Sequence, residues 1–177
     1  MARFAKTDWL ALGLAAVAEG GPPALTIDAL TRRAGKTRGS FYAHFADMAG
    51  FLAALADHWR ERYTTRLIET ANAQRGAARR LDCLNELAFR LNPRVEQGMR
   101  RLANVNDAVA AVAAAVDQTR MDYLSKLYRD TGRYSPQEAE ALASIEYAAF
   151  VGLQQMAPTS TGDVNHLYEA FLTLTRR

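Results

Sequence analysis

Thr37, Arg38, Gly39, Tyr42 and His44 crowd the end of one segment, LTIDALTRRAGKTRGSFYAHF, which spans residues 25–45. Together they offer a hydroxyl, a guanidinium, a stretch of bare backbone, a phenol and an imidazole. Set on a helix in a groove of a nucleic acid, such groups donate hydrogen bonds to phosphates and base edges. For that chemistry they must share one exposed side of a short helix. The residues around them supply it. Thr26 is placed to cap a first helix, in which Ile27, Leu30 and Ala34 make one apolar face at helical spacing. Gly35 then stops the helix, because glycine takes the left-handed backbone angle of a helix exit at little steric cost. Thr37 caps the second helix, and Phe41 and Phe45 turn inward one turn apart. The polar residues are left on or near the opposite face, in the pattern of a helix-turn-helix.

Composition bounds what this segment can belong to. The chain has 177 residues, 49% of them apolar and 23% charged. That is enough for a real core in one domain or two small ones, and it excludes a disordered tail. The formal charge is +3, from 22 Lys and Arg against 19 Asp and Glu. Residues 1–46 carry the whole excess: Arg3, Lys6, Arg32, Arg33, Lys36 and Arg38 stand against Asp8, Glu19 and Asp28. Such an excess either draws phosphates or simply keeps helices solvated. Cys83 is the single cysteine, so no internal disulfide can form, which suits a reducing cytoplasm. It follows Arg79 and Arg80, a setting for a redox-sensing thiol or for a half-buried small hydrophobe. The longest strongly apolar run, Ala108 to Val116, falls far short of the ~20 residues of a membrane span. MARFAKTDW at the start holds no apolar signal core. A cytoplasmic protein without membrane attachment is expected.

Nothing along the chain reads as a strand or a repeat, so the expected fold class is all-α, with about nine helices. A first helix runs from Thr7 or Asp8 to Glu19, with Trp9, Leu10, Leu14 and Val17 inside, and Gly20-Gly21-Pro22-Pro23 ends it. After the helix-turn-helix, Asp47 caps a long fourth helix whose apolar positions continue from Met48 through Phe51, Leu55, Trp59 and Tyr63 to about Asn72. Further helices are expected: one from beyond Arg75 to about Leu91, where Asn92 and Pro93 break it, a shorter one to about Val105, and a long one from Asn106 to about Thr131. Ser135-Pro136-Gln137-Glu138 is a capping box with proline in the first turn. The helix it starts should end near Ala157-Pro158. The last helix carries a stripe of Val164, Leu167, Tyr168, Phe171 and Leu172.

A helix with a glycine-rich stop, then Ala34-Gly35, Thr37-Arg38-Gly39-Ser40, Tyr42 and His44-Phe45, then a long fourth helix: in this order and spacing the chain resembles the tetracycline-repressor (TetR) family of transcriptional regulators. The match covers about residues 7–55. The resemblance implies a three-helix DNA-binding domain over 1–46 and a helical effector-binding and dimerisation domain over 47–177. It also implies a homodimer paired through its last two helices, a palindromic double-stranded DNA operator, and a ligand cavity in the body. On the residues alone, the two C-terminal apolar stripes serve equally as a dimer bundle or as internal core.

Each residue of the motif keeps two readings. Thr37 offers its hydroxyl and the adjacent free N–H groups to a phosphate, or is a plain cap. Arg38 reads guanine, worth ~1–3 kcal/mol of discrimination, or meets a phosphate. Gly39 admits the DNA backbone or packs against the first helix. Tyr42 reaches a thymine methyl or a phosphate, or is half-buried core. His44 and Thr26 donate to phosphates. Lys36 stands where the family buries a small aliphatic, so its stem packs there or its ammonium reaches the DNA backbone. Thr31 replaces the family's usual alanine, and Met48 a frequent lysine.

For the cavity, Trp59, Phe89, Met99, Met121, Tyr147, Phe150 and Met156 are candidate walls for a small apolar effector, or ordinary core. Binding there would shift the fourth helix and alter the separation of two reading heads. Enzyme motifs such as HExxH, GxSxG and the phosphate-binding glycine loops are missing, and no Glu stands three residues before His44, His58 or His166. No catalytic residue, metal site or cofactor is therefore expected. The competing expectation is a small-molecule-binding or scaffolding helical dimer that has lost specific DNA binding.

Overall fold

A computed structural model describes residues 4–155 and 161–175, with side chains described to residue 155 and over 166–174. Among the described residues there are nine helices and no strand. Helix α1 (Lys6–Gly20) starts where Asp8 accepts the Ala5 N–H at 2.8 Å and ends at Gly21, whose φ of 66° is left-handed. A 3-10 turn, Pro22–Ala24, leads to α2 (Ile27–Ala34), and Gly35 at φ 61° turns the chain into α3 (Arg38–Tyr42). Helix α4 begins as Met48–Arg60, capped by Asp47 through a 2.7 Å bond from the Gly50 N–H. It passes through a π turn at Glu61–Thr65 and finishes as Arg66–Asn72. The regular helix expected from periodicity is thus interrupted, since a π turn takes one more residue per turn and rotates the faces on either side of it.

Helices α5 (Ala77–Phe89), α6 (Pro93–Ala103), α7 (Asp107–Asp130), α8 (Pro136–Gln155) and α9 (Thr161–Thr175) follow. Ser135 and Glu138 exchange hydrogen bonds of 2.8 and 3.3 Å at the start of α8. Those bonds hold the Glu138 carboxyl below its usual range. The expected end of α8 at Ala157-Pro158, Met156 and the Val164 side chain lie outside the described residues.

The helices form two compact units. The first comprises the chain to Arg62 together with Arg94–Ala115. Its core is aromatic: Trp9, Phe41, Phe51 and Trp59 are fully buried with Leu30 and Leu55. Glu96 is buried in the same unit, accepting from the Trp59 indole N–H at 3.1 Å and pairing with Arg100 at 3.3 Å. A carboxylate is tolerated there because both partners answer its charge. The second unit comprises Tyr63–Pro93 and the chain from Val116 on. Leu81, Leu124, Leu127, Tyr128, Ala143 and Tyr147 are at its centre.

Candidate functional site

The helix-turn-helix presents one polar face over a ring-filled floor. Phe41 lies between Trp9, Phe45 and Phe51, with ring centroids 5.4, 5.2 and 5.4 Å away. With that side fixed, Lys36, Thr37, Arg38, Gly39 and Tyr42 are all exposed. Thr26 and Thr37 cap their helices, accepting from the Ala29 and Ser40 N–H groups at 3.2 and 3.3 Å. Tyr42 is 53% exposed and meets the Phe41 ring edge to face, 5.8 Å between centroids.

Long-range pairings around this face could not be read from spacing. Arg38 grips Asp28 of α2 with two hydrogen bonds of 2.7 Å, which raise the guanidinium above its ordinary pKa and keep it a fixed cation. Arg33 does the same to Glu19 with two bonds of 2.6 Å, and those bonds pull the Glu19 carboxyl down. His44 falls just beyond α3, half-buried, and its Nε2 donates to the Phe4 carbonyl at 3.0 Å. In this structure that donor is turned to the protein's own backbone. Lys36 carries its ammonium 5.7 Å from the centre of the Phe4 ring. Gly39 has open surroundings: a Cβ there would meet only the Thr37 hydroxyl, at an ordinary 3.7 Å. Packing against α2 is therefore not what keeps this position small.

The second unit holds a cavity of about 60 Å³, several times the ~10–15 Å³ a single water needs. Leu67, Ile68, Leu84 and Leu124 line it with the rings of Tyr147, Phe150 and Tyr168. Of the expected wall residues, Tyr147 and Phe150 thus come together there. Phe89 stands behind the wall, its ring 5.3 Å from Tyr168, and Met121 packs on the core cluster around Leu124. Trp59 and Met99 belong instead to the first unit, both fully buried. The Trp59 N–H is occupied by Glu96, so it serves that core.

Periodicity passed over the polar wall, formed by Asn85, Arg120 and Glu146. Arg120 donates to the Thr64 hydroxyl at 3.0 Å, the Tyr63 carbonyl at 3.1 Å and the Tyr147 hydroxyl at 3.2 Å. Tyr147 in turn donates to Asp117 at 2.6 Å. Glu146, 1% exposed, accepts from the hydroxyls of Tyr128 and Tyr168. Tyr123 also lines the cavity, and burial pushes its phenol up, so it stays neutral at ordinary pH. Among the described residues no group of three His, Cys, Asp or Glu could hold a metal, and no helix is long and apolar enough to cross a membrane. Cys83 is half-buried on α5.

Residues 10–55 match the family model of bacterial regulatory proteins of the tetR family. No curated protein matches the chain. Solved structures share its fold over most of the chain. A Saccharomonospora viridis protein classed as a transcriptional regulator, in complex with choline, superposes with a TM-score of 0.79 at 15% identity, covering 96% of each chain. Reduced NemR of E. coli gives 0.79 at 17% identity, covering 94% of this chain and 95% of its own. The ketosteroid transcriptional regulator KstR2 of Mycobacterium tuberculosis gives 0.68 at 17%, covering 94% and 92%. Residues 10–55 thus match the tetR-family DNA-binding domain, and the chain as a whole shares the fold of these solved structures.

Proposed function

We propose that this protein is a transcriptional regulator that binds a palindromic operator as a homodimer and lets go when a small ligand fills the cavity of its second unit. The observation that carries the reading is the exposed polar face of α3, held over the fully buried Phe41. On this reading residues 1–46 read the operator, and residues 47–177 bind the effector and pair the two copies. Thr26, Thr37 and Lys36 meet phosphates. Arg38 exchanges Asp28 for a guanine edge, and Tyr42 meets a thymine methyl or a phosphate. Exposed apolar side chains support pairing through α8 and α9: Ile145, Leu167 and Leu174 are 55%, 53% and 68% exposed on those two helices. The choline held by the Saccharomonospora protein supports a small-molecule effector.

Footprinting on the DNA upstream of its own coding sequence, with genomic selection of bound fragments, tests the operator. Sedimentation tests the assembly. One protected palindrome and twice the chain mass are expected. A dimer that protects no sequence would instead be a scaffold or small-molecule binder without specific DNA binding.

Two substitutions separate contact from packing. Tyr42→Ala should weaken operator binding about tenfold while stability moves by no more than about 0.5 kcal/mol, as for other exposed side chains. Intact binding would place the contact face elsewhere. Gly39→Ala should leave the fold as stable or up to about 1 kcal/mol more so, because alanine is the better helix former. Operator affinity should nonetheless fall, because the added methyl stands where the DNA backbone approaches. Gel-shift titration and chemical denaturation of the same samples give both numbers.

A further inference from the structure

The chemistry of the effector can be narrowed from the cavity wall, granted the ligand-responsive reading above. Its charged groups are already engaged by the protein. Arg120 donates to Thr64, Tyr63 and Tyr147, and Glu146 accepts from Tyr128 and Tyr168. A ligand charge would have to draw one of them from these bonds, in a site where stripping a charge of water is expensive. Asn85 is different. It lines the cavity and is 6% exposed, and its Nδ2 has no hydrogen-bond partner among the described residues. A buried amide donor left unmade costs its full desolvation, so the site gains most from a guest that brings an acceptor to it. Leu67, Ile68, Leu84 and Phe150 surround that donor's cavity with apolar surface.

We infer that the cavity takes a small uncharged ligand with an apolar body and a carbonyl-type oxygen, and that Asn85 Nδ2 donates to that oxygen. The carbonyl sets the orientation, and the apolar wall supplies most of the affinity.

Three probes of one ring size test this on the full-length, isotope-labelled protein: cyclohexanone, cyclohexylammonium and cyclohexanecarboxylate. Cyclohexanone should shift the Asn85 side-chain amide signals saturably and bind about tenfold more tightly than either charged probe. Asn85→Leu should erase that preference. The wild-type signals decide the matter even if the variant folds poorly. Tighter binding of a charged probe, ketone binding that leaves the Asn85 signals unmoved, or binding by none of the three overturns the inference. Operator affinity is read in parallel. A ketone seated on Asn85 without operator release upholds the ligand chemistry and defeats the regulatory reading; release by a charged probe does the reverse.

Discussion

Phe41→Ala is expected to lower the stability of the first unit by about 3–5 kcal/mol and to abolish operator binding with it. The ring is fully buried, and Trp9, Phe45, Phe51 and Tyr42 all have ring centroids within 6 Å of its own. Removing it deletes the transfer energy of a phenyl group and leaves a space that three large rings cannot close by small movements. Helix α3 has only five residues, Arg38–Tyr42, far below the ~12–15 at which an isolated helix is even marginal. It exists because Phe41 is anchored, so loss of the anchor also releases Thr37, Arg38 and Gly39 from their common face. Denaturant unfolding should show the midpoint falling steeply, and gel-shift titration should show no operator complex. Phe41→Leu, which keeps much of the volume, should recover part of both. A loss below about 1 kcal/mol would mean that the aromatic floor does not hold the reading helix.

For Tyr42, contact and half-buried core are alternatives on the sequence alone, but the inward turn of the adjacent Phe41 was legible there because it depends on helical spacing. So were the caps at Thr26, Thr37, Asp47 and Ser135, and the stop at Gly35, each a bond or backbone angle set within four residues of chain. What local pattern could not reveal is set by residues far apart. Arg120 and Glu146 sit in helical sequence where a charged residue ordinarily marks the solvated face. They are turned inward by Thr64, Tyr147, Tyr128 and Tyr168, 18–56 positions away. The π turn at Glu61–Thr65 has no compositional mark either. The Arg120 guanidinium supplies its Tyr63 carbonyl with a donor, a partner that periodicity on α4 cannot reveal. Trp59 and Met99 could not be told from cavity walls, because a large apolar side chain at core spacing looks the same in either place. Asp28 reads in the sequence only as a charge against the basic excess, ten positions from the arginine it holds.

Gly98→Ala should destabilise the first unit by about 1–3 kcal/mol, and Gly98→Val should reach the top of that range or beyond it. Gly98 lies on α6 with its Cα facing the end of α1. A Cβ built there would stand 2.5 Å from the Val17 carbonyl oxygen, 2.9 Å from its carbon and 3.2 Å from its side chain. The obstacle is mainly backbone, which cannot swing aside as a side chain tip can. It is also backbone with a task, since the Val17 carbonyl accepts from the Gly21 N–H at 3.0 Å and so closes the α1 exit. Relief requires α6 to retreat from α1, which thins the packing around Val17 and Met99, both fully buried. The same substitution at Gly39, with only the Thr37 hydroxyl at 3.7 Å, is expected to be neutral or stabilising. Opposite signs for one chemical change are the test, because helix propensity favours alanine at both positions and only contact distance distinguishes them. Denaturation midpoints that rise for both variants would show that α1 and α6 do not approach as closely as Gly98 requires.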